Sequence, residues 1–187
     1  MKKILLVLAL IAGISTVANA QIKSSGFKLI GSAGLGISWA SAGVSGSGES
    51  VTLASGFGAV NPQVELTAGA NVIPQLFIGI GLGYEARCGV KDCSGTQNEL
   101  KIPATLRFYV NPERSNGVIF DVKGGYSRLF QEGEDMNGGN LFIGPGYMFG
   151  RCAVSLGYEG SFFRHNVPGG AITFNHNGLA ARFSIEF

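Results

Sequence analysis

Glu85 and Arg87, Glu99 and Lys101, and Asp121 and Lys123 form pairs two residues apart. With Lys28, Glu65, Arg107, Glu159, Arg182 and Glu186 they make a set of twelve ionisable side chains spread over the chain. A two-residue spacing puts both members on one face of an extended strand. Opposite charges gathered on one enclosed face can pair and hydrogen-bond to one another as a plug. Left unpaired, they would line a narrow polar pore or a proton path. Glu65, Glu85, Lys101, Arg107, Asp121, Lys123, Glu159 and Arg182 lie mid-segment and are the expected centre of such a network.

Other groups point to other chemistries. Cys88 and Cys93 bracket four residues, a spacing that suits a loop disulfide in an oxidising compartment; no second ligand pair accompanies them to make a metal site. Cys152 is distant from both and is expected to stay unpaired. Ser161 and Glu159 lie close in sequence to His165, and His176 falls in the same region, which raises Ser/His/acid chemistry of the lipid A-modifying kind. The H-x-S arrangement of lipid A deacylases is absent, because His165 is followed by Asn166-Val167 and His176 by Asn177-Gly178. Both histidines are expected in a solvated loop, with no catalytic role. Glu132, Glu134 and Asp135 make an acidic stretch without calcium-loop spacing, open to sharing divalent cations with lipopolysaccharide phosphates.

The elements that must position these groups are strands. Leu179 to Phe187 alternates strictly, with Leu179, Ala181, Phe183, Ile185 and Phe187 on one face and Ala180, Arg182, Ser184 and Glu186 on the other. Phe183, Ile185 and Phe187 have the form of a C-terminal barrel-assembly signal. Seven earlier segments alternate likewise, at about 27–39, 57–72, 76–86, 99–110, 118–130, 140–149 and 152–164. Long connections are expected at 41–55, 89–97, 132–139 and 165–177, and short turns at Ile73-Pro74-Gln75, 111–117 and Gly150-Arg151. That alternation of connection lengths and the even strand count predict an all-β, transmembrane, antiparallel up-and-down β-barrel of eight strands.

The aromatic residues agree with this reading. Phe27, Phe108, Phe120, Tyr147, Phe149, Phe183 and Phe187 gather near one end of the outward face, and Trp39, Tyr84, Tyr126, Tyr158 and Phe162 near the other, as two interfacial girdles would. A lipocalin-type soluble barrel would instead put its apolar face inside. An eight-stranded barrel is only wide enough for side chains to fill it. The twelve charges are therefore expected to pair across the lumen, since each would cost several kcal/mol unpaired.

Met1-Lys2-Lys3, the apolar run from Ile4 to Val17 and Ala18-Asn19-Ala20 have the form of a secretory signal peptide cleaved near Ala20, leaving residues 21–187 as one barrel domain. Removing Lys2 and Lys3 leaves twelve basic residues against twelve acidic ones, a balance with no nucleic-acid footprint. Nothing later is apolar enough for long enough to cross a membrane as a helix.

From Glu99 onward, Leu100-Lys-Ile-Pro-Ala-Thr-Leu-Arg-Phe-Tyr109, Phe120-Asp-Val-Lys-Gly-Gly-Tyr126, Ile143-Gly-Pro-Gly-Tyr-Met-Phe-Gly150 and Ser155-Leu-Gly-Tyr158 resemble the PorT-like outer-membrane β-barrel domain family of Bacteroidota. The resemblance implies a small barrel of the OmpA or OmpX kind, without cofactor and mostly without an assigned activity. The expected role is structural or interactive in the bacterial outer membrane, with a narrow porin-like channel and a lipid A-modifying enzyme as alternatives. Expected partners are outer-membrane lipid and lipopolysaccharide, the barrel-assembly machinery during insertion, and a surface ligand reached through the outer loops.

Overall fold

The computed structural model describes residues 26–46, 49–89, 97–112, 116–131, 134–168 and 170–187. Eight strands follow one another: β1 (Phe27–Gly46), β2 (Glu49–Ile73), β3 (Leu76–Gly89), β4 (Gln97–Tyr109), β5 (Asn116–Gln131), β6 (Glu134–Phe149), β7 (Cys152–Val167) and β8 (Gly170–Glu186). Each pairs antiparallel with its sequence neighbour, and β8 returns to β1 to close the barrel. Closure leaves no free edge along the paired wall, because Leu29 and Phe187 also exchange backbone hydrogen bonds at 3.2 and 2.8 Å. The leader and Cys93 lie outside the described residues.

Period-2 alternation decides which way each side chain points, and the barrel is polar inside and apolar outside. On β3, Ile78, Ile80, Leu82 and Tyr84 are exposed on the outer wall, while Phe77, Glu85 and Arg87 are buried in the lumen. β4 repeats the pattern without a break, with Lys101, Thr105, Arg107 and Tyr109 buried and Ile102, Leu106 and Phe108 exposed.

The connections differ from the expected lengths. Residues 41–46 and 49–55 pair with each other as continuations of β1 and β2, and 134–139 and 170–177 belong to β6 and β8. The long loops expected at 41–55, 132–139 and 165–177 are therefore mostly paired strand. At what we call the loop end, the connections are 47–48, 90–96, 132–133 and 168–169; at the turn end they are 74–75, 110–115 and 150–151. Asymmetry resides in the wall height instead. β1 and β2 have 20 and 25 residues, whereas β3 and β4 have 14 and 13.

A repeated clasp marks the outer wall near the loop end. Tyr84, Tyr126 and Tyr158 each donate a hydroxyl hydrogen bond of 2.5 Å to Asn98, Asn137 and Asn177 respectively. In every case the asparagine is two residues nearer the connection than the residue opposite the tyrosine. Three of the four loop-end hairpins thus share one device, an exposed ring whose polar tip is already satisfied.

Candidate functional site

Six cationic and six anionic side chains line the lumen, and among the described residues every one of the twelve is in an ion pair. The group nearer the turn end is built on Arg107. Its Nε and Nη2 donate to both oxygens of Asp121, its cross-strand neighbour, at 2.7 and 2.8 Å. Its remaining nitrogen reaches Glu186 on β8 at 3.0 Å, and Nη2 also reaches Ser184 at 3.1 Å. Glu186 further accepts from Tyr109 at 2.7 Å and Lys28 at 3.1 Å. Ser155 donates to Asp121 at 2.9 Å. Every guanidinium nitrogen of Arg107 is used, in the forked geometry that makes arginine–carboxylate pairs strong.

The second group joins six strands. Glu65 accepts from Lys123 at 2.6 Å, Thr67 at 2.8 Å and Arg182 at 3.1 Å. Glu159 accepts from Arg182 and Lys101, both at 2.7 Å, and from Gln63 at 2.8 Å. Lys101 also meets Glu85, which accepts from Arg87 Nε at 2.6 Å. Arg87 continues to Glu99 and to Ser161, the latter at 3.0 Å. Within the network, the Arg182 guanidinium lies 4.2 Å over the ring of Phe142, which stands opposite Lys123 and Glu159.

Glycine makes room for these long side chains. The lumen face of β3 carries Gly79, Gly81 and Gly83 between Phe77 and Glu85. On β1, a Cβ at Gly34 would stand 2.9 Å from the Ala181 carbonyl oxygen, 3.0 Å from Cγ of Arg182 and 3.2 Å from Cγ of Gln63. Gly34→Val should therefore force Arg182 off Glu65 and Glu159, destabilising the barrel by about 1–3 kcal/mol, the usual cost of overpacking. The transition from compact to unfolded gel migration should move to lower urea; an unmoved transition would mean that Arg182 yields at no cost.

Apolar layers close both ends of this polar interior. Ile30, Phe77, Tyr109, Ile119, Met148 and Ala153 cluster at the turn end. Leu129, Met136 and Phe163 cluster at the loop end, with Phe174 packed against them. The twelve charges by themselves do not reveal these layers. Parity alone could have found them, since Phe77 shares a face with Glu85, Ile119 with Asp121, Leu129 with Lys123 and Phe163 with Glu159.

His176 is not in a loop. It lies buried on β8 directly opposite Ser161, with its ring edge-on to Phe174 at 4.8 Å and Phe163 at 6.5 Å. His165 is half-buried near the end of β7, opposite Ile172. A serine–histidine–acid relay needs the imidazole between hydroxyl and carboxylate. Here Ser161 bonds Glu99 directly, at 3.0 and 3.1 Å, beneath the loop-end apolar layer. Asp135 of the acidic stretch pairs with Arg128 at 2.6 Å on the exposed surface. Cys88 sits opposite Val60 near the loop end, and Cys152 begins β7 at the turn end. Phe183 is exposed on the outer wall of β8, with Ile185 and Phe187 half-buried.

No protein-family model and no curated protein matches the sequence, so the PorT-like resemblance gains no such match. Among solved structures the chain is similar to Neisserial surface protein A, with 16% identity, a TM-score of 0.48 and coverage of 87% of this chain and 98% of that one. It is also similar to the outer membrane protein OprG of Pseudomonas aeruginosa, at 12% identity and a TM-score of 0.47 over 87% of this chain and 96% of that one. A third, Ail, the attachment invasion locus protein of Yersinia pestis, has 11% identity and a TM-score of 0.31 over 82% and 97% of the respective chains. The closed eight-stranded barrel itself rests on the strand pairing of this chain.

Proposed function

We propose that this protein spans the bacterial outer membrane as a sealed, non-enzymatic barrel that acts through its wall and its loop-end rim. The observation that carries this reading is the inverted polarity of the barrel. Leu35, Ile80, Leu82, Leu156 and Leu179 stand more than half exposed on the outside, while twelve charges are paired inside. In water such an outer band would be an aggregation surface. In a bilayer it is the solvated face, and a closed barrel satisfies the backbone without water.

The lumen fits a plug better than a conduit, because its charges are mutually neutralised and apolar layers cross it above and below. It fits an enzyme less well still, since Ser161 is bonded directly to Glu99 and neither ring nitrogen of His176 meets a hydroxyl or a carboxylate. What remains for function is the wall, with lipid and lipopolysaccharide as its partners, and the tall β1–β2–β8 side of the rim as a surface for a ligand. The outward Phe183, Ile185 and Phe187 suit recognition by barrel-assembly machinery during insertion.

Planar-bilayer conductance of the refolded barrel, with heat-modifiable migration to show that it has closed, tests the reading. The expected record is flat at physiological salt. Unitary steps that change with Glu85→Gln or Lys101→Met would make the lumen a narrow channel and sink the plug. Lipid A whose mass changes in the presence of the protein would replace both readings with an enzyme.

A further inference from the structure

Between the ionic network and the loop-end apolar layer lies a cavity of about 10 Å³ whose polar border includes Ser38, Asn61, Arg87, Ser161 and His176, with Ile37, Gly178 and Leu179 of the β1–β8 seam beside them. Three of these side chains are at least nine-tenths buried, with 3% exposure for Asn61 and Arg87 and 5% for His176. Each of the three carries a buried polar atom that no protein group meets: Oδ1 of Asn61, Nη1 of Arg87 and both ring nitrogens of His176. Their other atoms are committed. Asn61 Nδ2 donates to Ser38 at 2.8 Å, and the remaining Arg87 nitrogens go to Glu85, Glu99 and Ser161.

The chemistry of the uncommitted atoms selects the occupant. Nη1 can only donate, Oδ1 can only accept, and a neutral imidazole does one of each. An anion would face Asn61 Oδ1 and the carboxylates of Glu85 and Glu159, which also border the cavity. A cation would face Arg87. A molecule that donates and accepts, and that needs about 10–15 Å³, is water.

We infer that this cavity is a built site for an internal water that bridges Arg87, Asn61 and His176. The water couples the ionic network, through Arg87, to the apolar layer, through His176 and the rings of Phe163 and Phe174. It also sets the two halves of the plug apart. Around Arg107 the guanidinium is fully satisfied by protein groups, whereas the half beneath the loop end needs solvent to complete it.

The test uses the full barrel, refolded in detergent micelles with histidine isotopically labelled. Magnetisation transfer from water to the His176 ring protons should show a water bound beside the ring. Absence of that transfer would overturn the site. His176→Phe and His176→Leu supply a second readout. With water present, both remove a bridge and strand Arg87 and Asn61, so the urea midpoint of unfolding should fall. A midpoint that rises would show that the wild-type nitrogens were simply unsatisfied, and would equally overturn the proposal.

Discussion

Arg107→Ala should cost the barrel about 3–5 kcal/mol, the effect of breaking a buried pair from one side. Arg107 is 2% exposed, and its removal leaves Asp121 without its forked partner and Glu186 with only Lys28 and Tyr109. Ser155 carries no charge, and Lys123, the nearest remaining cation, is already bonded to Glu65. The readout is the temperature at which the compact gel form converts to the unfolded one, which should fall well below that of the wild type. Arg107→Met combined with Asp121→Leu should recover most of the loss, because a matched apolar pair leaves no orphaned charge. If the single variant melts where the wild type does, water reaches this part of the lumen freely and the seal formed by Phe77, Ile119 and Met148 does not hold.

The second large effect concerns the outer wall. Ile80 is 64% exposed and lies on β3 between the turn end and the Tyr84 clasp, so on the membrane reading it meets hydrocarbon. Ile80→Arg should then destabilise the barrel by about 2–4 kcal/mol, as a cation near the bilayer midplane does. Folding yield into vesicles and the urea midpoint both report it. The control is Arg at Val110, 63% exposed just past the end of β4, where the cost should be near zero to about 1 kcal/mol. Equal, negligible costs at both positions would remove the membrane from the explanation of the exposed band.

Much of the wall was legible in the sequence because strand side chains alternate with a fixed period, and one face had to be apolar throughout. Arg107 and Asp121 could even be placed opposite each other, since the short connection after β4 fixes the register of that hairpin. The contacts of Lys101 with Glu159 and of Lys123 with Glu65 could not. They cross the lumen between strands distant in sequence, and their meeting depends on the stagger accumulated around the whole barrel. Strand ends were illegible for a different reason. Residues 41–55 are rich in Ser, Gly, Ala and Val, and beyond the apolar band neither face of a strand has to be greasy, so alternation fades although backbone pairing continues. His176 was misplaced in a loop for the same reason, and with it the cavity it borders.

The three tyrosine–asparagine clasps separate anchoring from display. Each joins two strands of one hairpin on the outer wall, and none draws on the connection above it. On the membrane reading, the level at which these rings meet the bilayer interface is set by strand register, since tyrosine and asparagine both belong to the wall. Anchoring of that kind is a property of paired strand, so a hairpin could change its display without changing its seat in the bilayer.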